Sequence, residues 1–219
     1  MKIYLAIPLC CLLLSLVFSA CKKEESPDPP VPVTYPNFSQ LSTGNYWVYE
    51  RFSIDPSGNE TALGIYDSCY IEKDTIINDL SYYKFIRSSN FGSFFDYRFV
   101  RDSLHYLVNH EGQILFSSQN FTDTFYYGYE IVPNSTDTIY KKVVKMAGKD
   151  FTVNTPAGSF QTYKLRNTIN FYPNWTTINA TRHYDKHFTE NIGIVQERLP
   201  SHVNNPNILK RRLIRYHVE

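Results

Sequence analysis

The sequence predicts a mainly β protein, an antiparallel meander of many strands with little helix. Three observations lead there. Tyr, Phe, Thr, Val and Ile are abundant after residue 21 while only four Ala follow it, a bias that suits a pleated surface better than a helix. Runs of these residues are separated by turn clusters, among them Asp55-Pro56-Ser57-Gly58, Asn109-His110-Glu111-Gly112, Pro133-Asn134-Ser135, Thr155-Pro156-Ala157-Gly158 and Asn204-Asn205-Pro206. Between the runs no helical pattern intervenes, which argues for consecutive antiparallel strands against βαβ units.

Residues 1–20 precede the domain and read as a signal peptide. Lys2 is a positive start, Ile3 to Phe18 is apolar apart from Pro8 and Ser15, and Ser19-Ala20-Cys21 follow. The run is marginal for a bilayer span, which needs roughly 20 apolar residues, and Pro8 interrupts it. Phe18-Ser19-Ala20-Cys21 resembles the bacterial lipobox, with Phe18 in place of the usual Leu. That resemblance implies cleavage before Cys21 and lipidation of Cys21, so that several acyl chains anchor the protein without spanning the membrane.

Residues 21–37 form the tether. Five prolines between Ser26 and Pro36 exclude helix and favour an extended chain. At about 3.1 Å per residue such a spacer reaches roughly 50 Å. Lys22-Lys23-Glu24-Glu25 resembles the surface-export signal of Bacteroidota lipoproteins, and it equally suits a solvated charged spacer.

Residues 38–219 are one β-rich domain. A helical turn near Phe38–Leu41, capped by Ser39, is the only helix expected. The strands run Tyr46–Ile54, Ile65–Ile76, Ser81–Ser88, Tyr97–Arg101, His105–Val108, Gln113–Ser117 and Thr124–Ile131. Then come Thr138–Met146, Phe151–Asn154, Phe160–Phe171, Arg182–Phe188, Ile194–Leu199 and Lys210–Val218. In the first strand Trp47 and Tyr49 face one way and Tyr46, Val48, Phe52 and Ile54 the other. In Thr138–Met146, Lys141 and Lys145 oppose Tyr140, Val144 and Met146. The bases of Lys210-Arg211-Arg212 read as a solvated strand surface, ahead of a contact with anionic lipid.

The whole chain carries a net charge of +1. Loss of residues 1–20 removes one Lys and no acid, leaving a mature charge of zero and no electrostatic footprint for nucleic acid. The same cleavage removes Cys10 and Cys11, so with Cys21 lipidated Cys69 stands alone and no intramolecular disulfide forms. In its alternating run Cys69 reads as a buried, inert thiol.

Three short segments carry a wider resemblance: Gly44-Asn45-Tyr46-Trp47-Val48-Tyr49, Val153-Asn154-Thr155-Pro156-Ala157-Gly158-Ser159-Phe160, and Asn191-Ile192-Gly193-Ile194-Val195-Gln196-Glu197. In that order they resemble Bacteroidota outer-membrane lipoproteins of unknown function and, more remotely, families with a lipoprotein-carrier-like half-barrel. The resemblance spans roughly residues 40–218. It implies that the meander is a single sheet strongly curved as a half-barrel or open barrel, and that the address is the cell envelope. It brings no catalytic residue, metal or cofactor.

Chemistry is sparse in the residues themselves. There is no nucleophile elbow, no H-E-x-x-H and no phosphate-cradling loop. His183, Asp185 and His187 alternate onto one strand face, but His183 and His187 lie about 13 Å apart there and cannot share a metal ion. Glu130, Asp185, Glu190 and Glu197 are the acids considered for glycoside hydrolysis, which needs two carboxyl groups roughly 5–9.5 Å apart. Tyr172 and Trp175, in an Asn/Thr-rich loop, are the candidate ligand-binding residues, with the alternative that Trp175 folds back to plug the sheet end. Asp74-Thr75-Ile76, Asp102-Ser103-Leu104 and Asp137-Thr138-Ile139 resemble O-glycosylation acceptors of Bacteroidota proteins and equally suit turn-to-strand transitions. The function expected is a membrane-tethered, non-enzymatic module that binds a glycan, a lipid or an envelope protein; the alternative is an envelope hydrolase using paired carboxylates.

Overall fold

A computed structural model describes residues 33–89, 95–176, 180–201 and 205–219. The signal segment, Cys21 and most of the tether lie outside the described residues, as do His202 and Asn204. Thirteen strands and one 3-10 turn make up the secondary structure of the described residues. They are β1 (Tyr46–Ile54), β2 (Glu60–Ile77), β3 (Leu80–Ser89), β4 (Phe95–Ser103), β5 (Tyr106–Asn109) and β6 (Ile114–Ser117). The second series is β7 (Thr124–Ile131), β8 (Thr138–Met146), β9 (Phe151–Thr155), β10 (Gly158–Phe171), β11 (Thr181–Thr189), β12 (Gly193–Leu199) and β13 (Ile208–His217).

All pairings are antiparallel, and the sheet order is β6-β5-β4-β3-β2-β1-β13-β12-β11-β10-β8-β7. Strand β9 stands off this path and pairs with the first half of β10. Two meanders are thus joined by the pairing of the first strand with the last, Tyr46 opposite His217 and Ile54 opposite Ile208. The resulting single sheet curls until it is nearly closed into a barrel, so the expected open barrel holds. Its two edges, β6 and β7, are consecutive in the chain and carry no ladder between them. Register shifts at Val48/Tyr49, Glu50/Phe52, Ile71/Lys73 and His187/Phe188 put bulges near the middle of the sheet, where added local twist lets a wide sheet bend.

Local chemistry explains the joints. The β2–β3 hairpin closes through Asn78 and Asp79 at φ 49° and 61°, the left-handed pair that a tight two-residue turn requires. Strand β2 begins five residues earlier than its apolar pattern indicates. Residues 60–64 are exposed and show no buried face, yet Ala62, Thr61 and Glu60 pair with the end of β1.

One expectation fails at Phe38–Leu41, which is a bend without a helix. Asn37 makes the local cap instead, its Oδ1 accepting from the backbone N–H of Ser39 and Gln40 at 3.1 and 2.9 Å. Ser39 turns away and donates to Asp102 at 2.6 Å.

Two buried clusters line the concave side and its ends. One gathers Trp47, Tyr49, Cys69, Ile71, Val195 and Leu213, against which Val153, Ala157 and Phe160 of the β9–β10 hairpin pack. The other gathers Phe38, Phe116, Met146, Leu165 and Phe188. Trp47 and Tyr49 are 2% exposed while Tyr46 is 38%, so the inner face of β1 is the one carrying the two large rings. Their polar ends are satisfied by backbone: Trp47 Nε1 donates to the carbonyl of Ile192 at 2.6 Å and the Tyr49 hydroxyl to that of Ile194 at 2.8 Å.

Candidate functional site

The curled sheet holds a cavity of about 370 Å³, within the range of small-molecule sites. Its apolar wall comes from both halves of the sheet: Phe85, Val100 and Leu107 from one, Val144, Leu165 and Phe188 from the other. Phe38, Leu41 and Trp47 complete it. Five basic side chains also line the cavity, Arg87, Arg98, Lys142, Lys186 and Arg211, against two carboxylates, Asp96 and Glu197.

Both carboxylates are engaged. Glu197, 5% exposed, accepts from Arg211 Nε and Nη2 at 2.9 and 2.6 Å through one oxygen and from Lys186 at 2.9 Å through the other. Arg211, 3% exposed, also reaches Asp67 at 3.5 Å, and Asp67 in turn is held by Arg51 at 2.6 Å. Lys186, Glu197, Arg211 and Arg51 stand opposite one another on adjacent strands, so Lys186–Glu197–Arg211–Asp67–Arg51 is a ladder of alternating charge. Burial alone would raise the Glu197 carboxyl; Lys186 and Arg211 overcome that and hold it well below the usual carboxylate range. The Arg211 guanidinium, disfavoured by burial, is nonetheless raised by Glu197 and lies 4.5 Å from the centre of the Tyr49 ring. Asp96 sits between Arg87 at 3.5 Å and Arg98 at 3.6 Å.

Lys142 is different. No carboxylate lies within ion-pair distance of its ammonium among the described residues. Burial depresses its pKa, the charges of Lys186 and Arg98 depress it further, and Glu130 offsets part of that. Its nearest aromatic cover is Tyr126, whose ring centre is 5.2 Å away. That ring lies over Gly128, where a Cβ would stand 2.5 Å from the Tyr126 hydroxyl, so the glycine makes room for it. Close by on the same wall, the Asn167 side-chain oxygen is buried with no hydrogen-bond partner.

Two solved structures resemble the chain. One is a Parabacteroides distasonis ATCC 8503 protein termed a lipoprotein, at 13% identity and TM-score 0.46; the match covers 84% of this chain and 100% of that one. The other is a Bacteroides fragilis NCTC 9343 protein termed an exported protein with YmcC-like fold, at 14% identity and TM-score 0.47, with the same coverage. No family model matches the chain, and no curated protein matches it by sequence.

The residues expected from sequence fall elsewhere. Tyr172 and Trp175 are 43% and 36% exposed and do not line the cavity; Trp175 ends a 3-10 turn, Pro173–Trp175, and does not plug the sheet. Asp185 lies on the opposite face of β11 from Lys186, clamped by Arg166 at 2.9 and 2.8 Å. Of the four acids considered for hydrolysis, Glu197 alone lines the cavity, while Glu130 and Glu190 are exposed. A carboxyl held so low cannot serve as a general acid near neutral pH. His187 donates to or accepts from Thr162 at 2.9 Å beneath the edge of Phe151, and burial pushes its imidazole down to about 4. The described residues hold no group of three or more metal-ligating side chains. Cys69 is fully buried, and burial raises its thiol, as an inert cysteine requires.

The reading of Lys210-Arg211-Arg212 as solvated is corrected in part. Lys210 and Arg212 do pair with Glu60 near the surface, but Arg211 is among the most buried side chains. The missed signal was parity. Arg211 is in phase with Leu213, Lys186 with Tyr184, Glu197 with Val195 and Leu199, and Lys142 with Val144 and Met146.

Proposed function

We propose that this protein is a lipid-anchored lipoprotein of the bacterial cell envelope that binds a small ligand inside its curled sheet. The observation that carries the binding role is the cavity of about 370 Å³, walled by large apolar side chains and lined with charged groups that, Lys142 apart, are paired across the sheet. A scaffold whose interior ion pairs are this constrained presents a preformed site, and Glu197, the one of the four considered acids that lines it, is held too low for a general acid, which weighs against the hydrolase alternative. The address rests on the lipobox-like Phe18-Ser19-Ala20-Cys21, the proline-rich spacer behind it and the Lys22-Lys23-Glu24-Glu25 tetrapeptide. Acyl chains on Cys21 would hold the domain at the outer membrane, with the tether giving it reach.

The neutral fluorophore N-phenyl-1-naphthylamine tests the cavity. Its emission should rise with the wild-type protein and stay flat with Val144→Trp, a substitution that fills the lumen; equal enhancement by both would overturn the reading. The anchor is tested by membrane fractionation, since Cys21→Ser should release the protein into the soluble fraction.

A second surface is supported by exposure. Tyr127 and Tyr129 stand on edge strand β7 at 54% and 48% exposure, their hydroxyls 2.6 Å apart, with Tyr172 near Tyr129. With Trp175 these rings form an outward aromatic group suited to a glycan or a partner protein. Tyr172→Ala combined with Trp175→Ala should weaken such a contact and leave fluorophore binding unchanged.

A further inference from the structure

Resting on the cavity reading, we infer that the ligand is an amphiphilic anion, one apolar chain with one carboxylate or phosphate head, seated with its head on Lys142, Arg98 and Lys186. Five bases line the cavity against two carboxylates, and adding Arg51 and Asp67 behind Arg211 leaves the excess at three. Asp96 and Glu197 are already used, the first between Arg87 and Arg98, the second between Lys186 and Arg211. Lys142 makes no ion pair; Lys186 and Arg98 act against its charge, and Glu130 of β7 favours it only from beyond ion-pair distance. An unpaired, partly desolvated cation beside two more is costly in the empty protein and is relieved by a bound anion.

Placement follows from the strand register. Arg87 opposes Asp96 and Arg98 opposes Phe85 on β3 and β4, while Val100 lies further along toward Tyr83. On β8 the inward positions run Lys142, Val144, Met146, with Met146 opposite Leu165 on β10 and Leu165 opposite Lys186 on β11. Strands β3, β4 and β8 thus go from charged to apolar, β11 steps from Lys186, level with Met146 and Leu165, to Phe188, and the apolar side chains gather at Phe38, Phe116, Leu165 and Phe188. A ligand with one charged and one apolar end matches that gradient. A uniformly polar sugar would leave the aromatic end unmatched, and an alkylammonium head would meet like charge. Asn167, beside Val144, has its side-chain oxygen buried and unbonded, and a flip of the carboxamide would place an N–H donor there for the head.

Isothermal titration at neutral pH and low salt, on the full chain and below micelle-forming concentrations, tests this with decanoate, decyl phosphate, decanol and decyltrimethylammonium. Decanoate or decyl phosphate should bind at least about tenfold tighter than decanol, and the cationic surfactant more weakly still. The tighter of the two anions identifies the head. Lys142→Met, which keeps the aliphatic stem, should cost about tenfold in anion affinity and nothing for decanol; Lys142→Arg should restore it. Arg98→Gln should act in the same direction and guards against a local defect at Lys142. Decanol binding as tightly as the anions, with binding lost in Val144→Trp, would overturn the anion inference and leave the cavity reading standing. Failure of all four ligands together with N-phenyl-1-naphthylamine would overturn both.

Discussion

Arg211 donates two hydrogen bonds to a single oxygen of Glu197, at 2.9 and 2.6 Å, from a position directly opposite it on the neighbouring strand. Because that oxygen is fully used, the other is left for Lys186, and one carboxylate ties three adjacent strands together on the inner face. Glu197→Gln would leave Arg211 and Lys186 short of an anion in a site with almost no water contact. The expected loss is about 3–5 kcal/mol, read from urea denaturation at neutral pH. The pH dependence has a definite sign. The folded carboxyl lies below its ordinary 4.5, so its stabilisation is complete above that pH and declines as the solution is acidified toward the folded value. The gap between wild type and variant should therefore narrow below about pH 4.5.

His187 behaves in the opposite chemical sense and gives the same direction. Burial holds its imidazole at about 4 against an ordinary 6.5, so the unfolded chain binds the extra proton between those values. Stability contributed by the neutral ring is complete above pH 6.5 and is lost as pH falls to about 4. His187→Gln, which keeps a polar partner for Thr162, should flatten the rise of the denaturation midpoint between pH 5 and pH 7. A share of the slope should survive, because His183 is also depressed by burial and by Arg166. An unchanged slope would mean that His187 is solvated when folded.

Gly193 opens β12 at φ +103°, a conformation that L side chains rarely adopt. An added Cβ would find ordinary space, 3.6 Å from the Phe38 carbonyl and 3.7 Å from Trp47 Nε1, so the cost is backbone strain and not a clash. Gly193→Ala should destabilise the domain by about 1–3 kcal/mol, with little change in the packing around Trp47. Thermal melts followed by circular dichroism measure the first, and Trp emission reports the second.

The two tryptophans are separable reporters. Trp47 lines the cavity at 2% exposure and Trp175 is 36% exposed on the outside. In Trp175→Phe the remaining emission should be blue-shifted, resistant to iodide quenching and altered by a cavity ligand. Quenching by iodide as strong as in wild type would contradict the burial of Trp47.

The strand reading survives because it rests on local chemistry. Each strand carries enough Tyr, Phe, Val, Ile or Thr at alternating positions, and each turn enough Gly, Pro, Asn or Asp, to be recognised alone. Where that signal fades the reading falters: residues 60–64 have no buried face, and the 3-10 turn at Pro173–Trp175 spans only three residues. The cavity charges were legible in principle. A charged residue in phase with Val195 and Leu199, as Glu197 is, or with Leu213, as Arg211 is, must be buried with a partner or lie at a cavity wall. Parity identifies such residues, yet it cannot pair them, since Asp67 and Arg211 lie far apart in the chain and meet only across β1.

The sequence by itself determined the antiparallel strands, the inert character of Cys69 and the lipobox-like start, all consequences of neighbours within a few residues. Tertiary structure decided where function can reside. Long-range pairing of β1 with β13, and bulges that bend the ladder, bring Arg98 of β4 near Lys142 of β8 and turn a string of strands into a walled space. The aromatic residues that looked available for recognition, Tyr172 and Trp175, stayed outside that space, while one base that looked solvated, Arg211, became part of its lining. The reason is geometric: alternation fixes which residues share a face, and only closure of the sheet says which face encloses anything.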